Sequence, residues 1–221
     1  MVGSSGSLVG GRLGACIDGH QAVFRTNDAP AAGKYTTHVG KRTTWRVASN
    51  ANGHMDPWHL ARSGKRQDLA ADAYLLYCMH PWWGSCQQEG GLQHAALINP
   101  QFVGAIQELI FSVAQQLGGH PVDWARNHFF ALDPLAPSTG MMAVVIAMVA
   151  CREVNLFGFT ANLLPNGSLG SASTRCAKYY DCRSLRAYFN ADERYWQYHD
   201  WWLQARALRR LDQLRFVELV N

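Results

Sequence analysis

Two short stretches of this 221-residue chain combine the residue types that hold an anionic ligand. The first, Gly3-Ser4-Ser5-Gly6-Ser7, follows Met1-Val2, which reads as the stump of a strand, and precedes a segment rich in small residues. Glycine permits positive φ and a close approach of ligand to backbone, and serine hydroxyls with free N–H groups at a helix start suit a phosphate or carboxylate. An ordinary strand-to-helix turn has the same composition. In the second stretch, Pro137-Ser138-Thr139-Gly140-Met141, Ser138 or Thr139 is placed to cap a helix running through Met142, Val145, Val149 and Cys151. That helix is apolar on all sides and hence buried, so its free N–H groups and positive dipole end point at whatever fills the cleft; a plain N-cap shares the signature. Asn27 closes a short apolar run, where a residue just past the carboxyl end of a strand either reaches a ligand or serves as a turn asparagine. His199 heads the C-terminal helical segment, as a general base or as a structural hydrogen-bonder.

The elements that must position these residues alternate. Gln21 to Arg25 reads as a short buried strand ending at Thr26-Asn27-Asp28, and Thr43 to Ala48 as a second. Asn50 to Gln67 is polar, a loop with a short helical piece; Asp68 to His80 reads as a helix entering a strand, broken by Pro81-Trp82-Trp83-Gly84; Gly90 to Ile98 continues as connection. Asn99-Pro100 starts an amphipathic helix with Phe102, Ala105, Ile106, Leu109, Ile110, Val113, Ala114 and Leu117 on one broad face, ended by Gly118-Gly119. Glu153 to Phe159 is a buried strand, Thr160 to Thr174 a long loop, and Ala191 to Trp202 an aromatic cluster that either lines a sugar site or packs. Trp201 to Leu214 reads as a helix with Leu203, Ala207, Leu208, Leu211 and Leu214 on one face and Arg206, Arg209 and Arg210 on the other, and Phe216 to Val220 as a closing strand. The expectation is one α/β domain spanning residues 1–221, its mostly parallel sheet flanked by helices.

Composition narrows the function. With 48% apolar residues the chain can bury one sizeable core, and a net charge of +4, spread diffusely, argues against nucleic acid while suiting an anionic sugar nucleotide. The longest apolar run, Met141 to Cys151, is well short of the roughly 18 residues that cross a bilayer, and no signal peptide is evident. Met1-Val2 enters the glycine turn with almost no strand before it, so the chain reads as cut, with any membrane anchor upstream. Cys176 to Cys182 and Cys78 to Cys86 are spaced for short disulfide loops and not for zinc, and no His or Asp cluster demands a metal. Asn166-Gly167-Ser168 is a glycosylation sequon, consistent with a secretory lumen. A Rossmann dehydrogenase is disfavoured because the turn lacks Gly-x-Gly-x-x-Gly and no ribose-binding acid is evident.

Asp18-Gly19-His20, Arg25-Thr26-Asn27-Asp28-Ala29-Pro30 and Val39-Gly40-Lys41-Arg42-Thr43-Thr44 follow the glycine turn at fixed distances, and residues 1–49 as a whole resemble the large sialyl motif of eukaryotic sialyltransferases. Pro137 to Phe159 resembles the small motif, Tyr179-Tyr180-Asp181 the third, and Tyr198-His199-Asp200 the very small one. The resemblance implies a modified Rossmann-like (GT-A variant) catalytic domain that moves sialic acid from CMP-sialic acid to a glycoprotein or glycolipid hydroxyl, with inversion and without a metal or other cofactor. It implies a Golgi enzyme, luminal, held by a single N-terminal anchor as a type II membrane protein. Residue by residue, it places Ser4, Ser7 and Asn27 around the nucleotide, Ser138, Thr139 and Gly140 against its cytidine, and Lys178 and Tyr179 near the phosphate, with His199 as general base. The family usually has Asn where this chain has Ser4, often Asn at Ser7, and Glu where it has Gln204; Cys151 matches a disulfide partner whose mate is absent. These departures leave two alternatives: a member that binds CMP or glycan without catalysis, and a transferase for another CMP-activated keto sugar such as Kdo.

Overall fold

A computed structural model of the chain describes residues 1–49, 66–77, 95–116, 137–159, 176–184 and 201–220. Its strands are β1 (Phe24–Thr26), β2 (Trp45–Ser49), β3 (Ala73–Tyr77), β4 (Ala95–Leu97), β5 (Asn155–Phe157), β6 (Cys176–Lys178), β7 (Asp181–Ser184) and β8 (Glu218–Val220). The helices are α1 (Gly14–Asp18), α2 (Thr36–Val39), α3 (Pro100–Gln116), α4 (Thr139–Ala150) and α5 (Trp201–Gln213).

β1 to β4 lie side by side in chain order, all parallel, and β5 pairs in parallel with β8. Val2 joins the two groups by bridging Arg25 on one side and Phe157 on the other, both in parallel. The stump at Met1-Val2 is therefore the middle of one sheet ordered β4-β3-β2-β1-Val2-β5-β8. Its ladder runs from Met1 N to Asn155 O (2.7 Å), from Phe157 N to Met1 O (2.9 Å) and from Gly3 N to Phe157 O (2.8 Å), with Val2 N donating to Phe24 O (2.8 Å). A parallel sheet is stable when both faces are covered, and alternation along the strands divides the residues accordingly. Phe24, Val47 and Leu156 face a core built with Ile106 and Ile110 of α3, Met142 and Val145 of α4, and Ala207 and Leu208 of α5. Val2, Val23 and Phe157 face the other way, onto Leu8, Ile17, Val39 and Tyr179.

The helix from Asn99-Pro100 forms as expected, Asn99 Oδ1 accepting from Gln101 N at 2.8 Å. Its buried stripe is narrower than the sequence implies: Ile106 and Ile110 are covered, whereas Ala105 and Leu109 are exposed. α4 is buried along most of its length, but its last turn emerges and leaves Val149 exposed. The helix entering a strand is found as a single turn of 3-10 helix, Gln67–Leu69, before β3, and one expectation is corrected: the stretch read as connection contains β4. β4 is short, but its pairing with β3 supplies a partner for its backbone that an isolated sequence window cannot reveal. The broken Pro81–Gly84 segment, the 160–174 loop, the sequon and residues 191–200 lie outside the described residues. Among the described residues no helix is long and apolar enough to cross a membrane, Cys16 and Cys151 are free, and Cys176 is disulfide-bonded.

α1 and α2 are too short to be stable alone and hold each other by close approach. A Cβ on Gly14 would lie 2.1 Å from Thr36 O and 2.8 Å from Thr37 O. The Asp18 carboxylate at the end of α1 accepts both Lys41 N and Arg42 N, with Oδ1 at 3.0 and 2.9 Å. Gly14→Ala is therefore expected to destabilise by about 1–3 kcal/mol through overpacking. Gly104→Ala, in mid-α3 with nothing within 4 Å of the added methyl, should stabilise by about 1 kcal/mol. Urea denaturation of both variants checks the opposite signs.

Candidate functional site

The parallel ladder ends at Gly3, where nothing larger than glycine fits: a Cβ would lie 2.6 Å from Gly158 O and 3.1 Å from the Phe159 ring. Ser5 then caps a single 3-10 turn, Gly6–Leu8, its Oγ accepting from Ser7 N at 3.2 Å and lying 2.9 Å from Ser7 Oγ. Ser4 is half-buried and its carbonyl accepts from Tyr179 N at 3.0 Å, while Ser7 is exposed. The antiparallel hairpin β6–β7 lies on this turn, bridging Ser5 to Lys178 and leaving no room for a side chain at Gly6 against Cys176 O.

The second stretch arrives at the same place from the opposite face. Of the two candidate caps the fold uses Ser138, with extended backbone (φ −64°, ψ 157°) and Oγ accepting from Met141 N at 3.2 Å. Thr139 is buried and Gly140 half-buried. A Cβ on Gly140 would lie 3.5 Å from Phe159 Cε1, so the Phe159 ring has the Gly3 turn on one side and the start of α4 on the other. Ser138 N, which precedes the helix, donates to Gln204 Oε1 of α5 at 3.1 Å.

Asn27 stands just past the carboxyl end of β1 with φ 44°, a left-handed conformation that non-glycine residues adopt when the surroundings impose it. β2 imposes it from both sides of the peptide. Asn27 N donates to Val47 O at 2.9 Å, and Arg46 Nη1 donates to Asn27 O at 2.7 Å and to Ala29 O at 3.0 Å. Arg46 is fully buried and lies in register with Arg25, also fully buried, on the neighbouring strand. Arg25 binds a second loop, donating from Nη2 to Val39 O at 2.6 Å and Arg42 O at 3.0 Å and from Nε to Thr43 Oγ1 at 3.0 Å. Burial lowers the Arg46 guanidinium to about 10, and the charge of Arg25 pushes the same way. Burial also lowers Arg25. Carbonyl dipoles do the work that carboxylates usually do for buried cations.

Tyr179 is buried, and its hydroxyl donates to Pro30 O; burial raises the phenol above its usual range, against the opposing pull of Arg25 and Arg46. Its neighbour Tyr180 donates to Asp28 Oδ1 at 2.9 Å, and Lys178 Nζ lies 5.5 Å from the Tyr180 ring centroid. The hairpin thus ties the Gly3–Ser7 turn to the loop after Asn27. An open pocket beside that loop, lined by Pro30, Lys34, Tyr35, Arg66, Asp68 and Tyr180, includes none of the expected ligand-binding residues. His199 lies outside the described residues. Among the described residues no group of His, Cys, Asp and Glu could hold a metal ion. Sequence reasoning did not single out Ser5, Arg46 and Phe159 as site residues. Ser5 is hidden among like residues, and a lone arginine in a strand does not announce that it is buried.

The chain matches glycosyltransferase family 29 (sialyltransferase) over residues 1–215. It is 27% identical over 163 residues to a mouse CMP-N-acetylneuraminate-beta-galactosamide-alpha-2,3-sialyltransferase 1, covering 73% of this chain and 44% of the relative. It is 28% identical over 179 residues to human lactosylceramide alpha-2,3-sialyltransferase, covering 74% and 40%. The chain thus spans less than half the length of these curated relatives. Among solved structures it superposes on a mammalian sialyltransferase with a TM-score of 0.55 at 19% identity, over 99% of this chain and 67% of the other; the same fold is also found in complex with Gal-beta-1-3GalNAc-ortho-nitrophenol.

Arg46→Met removes the donor that Asn27 O and Ala29 O share, and is expected to raise amide hydrogen exchange across residues 26–31 by about tenfold or more while α3 stays protected. Uniform exchange along the chain would contradict this local role. Because the Tyr179 phenol is raised in the fold, the unfolded chain loses that proton first, so this group contributes a loss of stability as pH rises above about 10. Ultraviolet titration should find one fewer late-ionising phenol in Tyr179→Phe.

Proposed function

Because the chain belongs to glycosyltransferase family 29, the sialyltransferases, we propose that it transfers sialic acid from its CMP-activated donor to a glycan hydroxyl, in the Golgi lumen, with inversion and without a metal. The observation that carries the reading is the meeting of the Gly3 turn and the Ser138-capped helix start on either side of the Phe159 ring. Two glycine-containing turns, one from each face of a parallel sheet, present backbone N–H groups where such sheets bind ligands. Ser4, Ser7 and Asn27 would border the nucleotide, with Ser138, Thr139 and Gly140 against its cytidine; Lys178 would offer a cation to the phosphate, with Tyr179 holding the loop beside it.

The chemistry needs one base. An acceptor O–H attacks the anomeric carbon of the donor sugar as the bond from that carbon to the CMP phosphate oxygen breaks, and the acceptor proton passes to the neutral imidazole of His199. CMP leaves with the bonding electron pair, its charge met by the positive end of α4 and by Lys178.

Calorimetric titration with CMP, UMP and AMP should find a preference for CMP of at least about tenfold, and equal affinities would sink the donor assignment. With a CMP-sialic acid donor and a galactoside acceptor, His199→Ala should lower kcat by about a hundredfold or more with CMP affinity retained. Binding without turnover in the wild type would identify a non-catalytic binder, and turnover of a different CMP-activated keto sugar would move the donor assignment to that sugar.

A further inference from the structure

We infer that Gln204 is a positioning residue of the donor site, one whose side-chain oxygen fixes the start of α4; this rests on the transferase reading above. The geometry is specific. Ser138 spends its hydroxyl on Met141 N, the usual task of a capping residue, and its own N–H precedes the helix and has no place in the helical ladder. That N–H is buried with the rest of Ser138, which is 7% exposed, so it needs an acceptor brought from elsewhere in the chain. Gln204, 4% exposed and 66 residues away, brings one: Oε1 lies 3.1 Å from Ser138 N.

Gln204 is itself held in place. Ala207 and Leu208, one turn further along α5, are buried in the core that also contains Met142 and Val145 of α4. The packing of α5 on that core therefore sets the position of the Ser138 peptide, and through it the N–H groups of Thr139 and Gly140, which stand where the nucleotide is proposed to lie. The amide oxygen accepts the N–H as a carboxylate oxygen would, without carrying a charge. The same helix begins at Trp201, two residues after His199, so α5 links the segment proposed to carry the base to the turn proposed to carry the nucleotide.

Gln204→Met keeps the length of the side chain and removes the acceptor, and Gln204→Glu keeps the acceptor. Titration with CMP should show the methionine variant weakened about tenfold and the glutamate variant within about threefold of wild type. In steady-state assays the methionine variant should raise the donor KM and leave the acceptor KM unchanged. Hydrogen exchange without nucleotide should show faster exchange at Ser138 in the methionine variant, with α3 protected as in wild type. Wild-type affinity in the methionine variant, or equal losses in both variants, overturns the role of Gln204 alone. Absence of CMP binding by the wild type overturns the transferase reading and the donor role of Gln204 with it.

Discussion

Four backbone hydrogen bonds through Met1, Val2 and Gly3 hold β1 to β5 and join the two halves of the sheet. A strand with one bridge to a short neighbour on each side is a weak ladder by itself. It holds because both of its faces are covered: Met1 packs among the residues of α3, α4 and α5, and Val2 packs against Phe157 and Ile17. Each of these buried side chains contributes about 1.5–3 kcal/mol, against the smaller net worth of each hydrogen bond. The ladder ends at Gly3, where Gly158 and Phe159 leave no room for a side chain, and the 3-10 turn Gly6–Leu8 follows.

The second organising feature is a pair of cations where an α/β sheet ordinarily keeps apolar residues. Arg25 and Arg46 occupy paired positions on one face, and among the described residues neither forms an ion pair. Removing charge from water is costly, and the cost is offset here by carbonyls at 39 and 42 for Arg25 and at 27 and 29 for Arg46. The two loops lie at opposite ends of the strands, residues 27–29 just past the carboxyl end of β1 and residues 39–43 just before the amino end of β2. A long side chain reaching out from inside the sheet thus fixes loop backbone that has no ladder of its own, including the left-handed conformation at Asn27.

Much of this was legible from residue types. The apolar spacing gave α3, α4 and α5; the turn chemistry marked Gly3–Ser7 and Ser138–Gly140; the family motifs pointed to one fold, and the match over residues 1–215 agrees. Local signals failed where an element owes its existence to a neighbour. β4 looked like connection because three residues carry no period, and it is a strand because β3 offers it a parallel edge. Leu109 fitted the apolar face of its helix and is exposed, because the core beneath α3 covers only the stripe through Ile106 and Ile110.

The sequence by itself determined which residues could do chemistry, since hydroxyls, amides, glycines and an imidazole are properties of residue type and their spacing identifies a family. Only the tertiary structure decided which of them meet. That Gly3 and Gly140 flank one aromatic ring and that Gln204 accepts from Ser138 across 66 residues both depend on the packing of the helices on the sheet. The physical reason is range: capping and periodicity act over one turn of chain, whereas a buried N–H must be satisfied by whatever side chain the packing of distant helices brings within 3 Å or so of it.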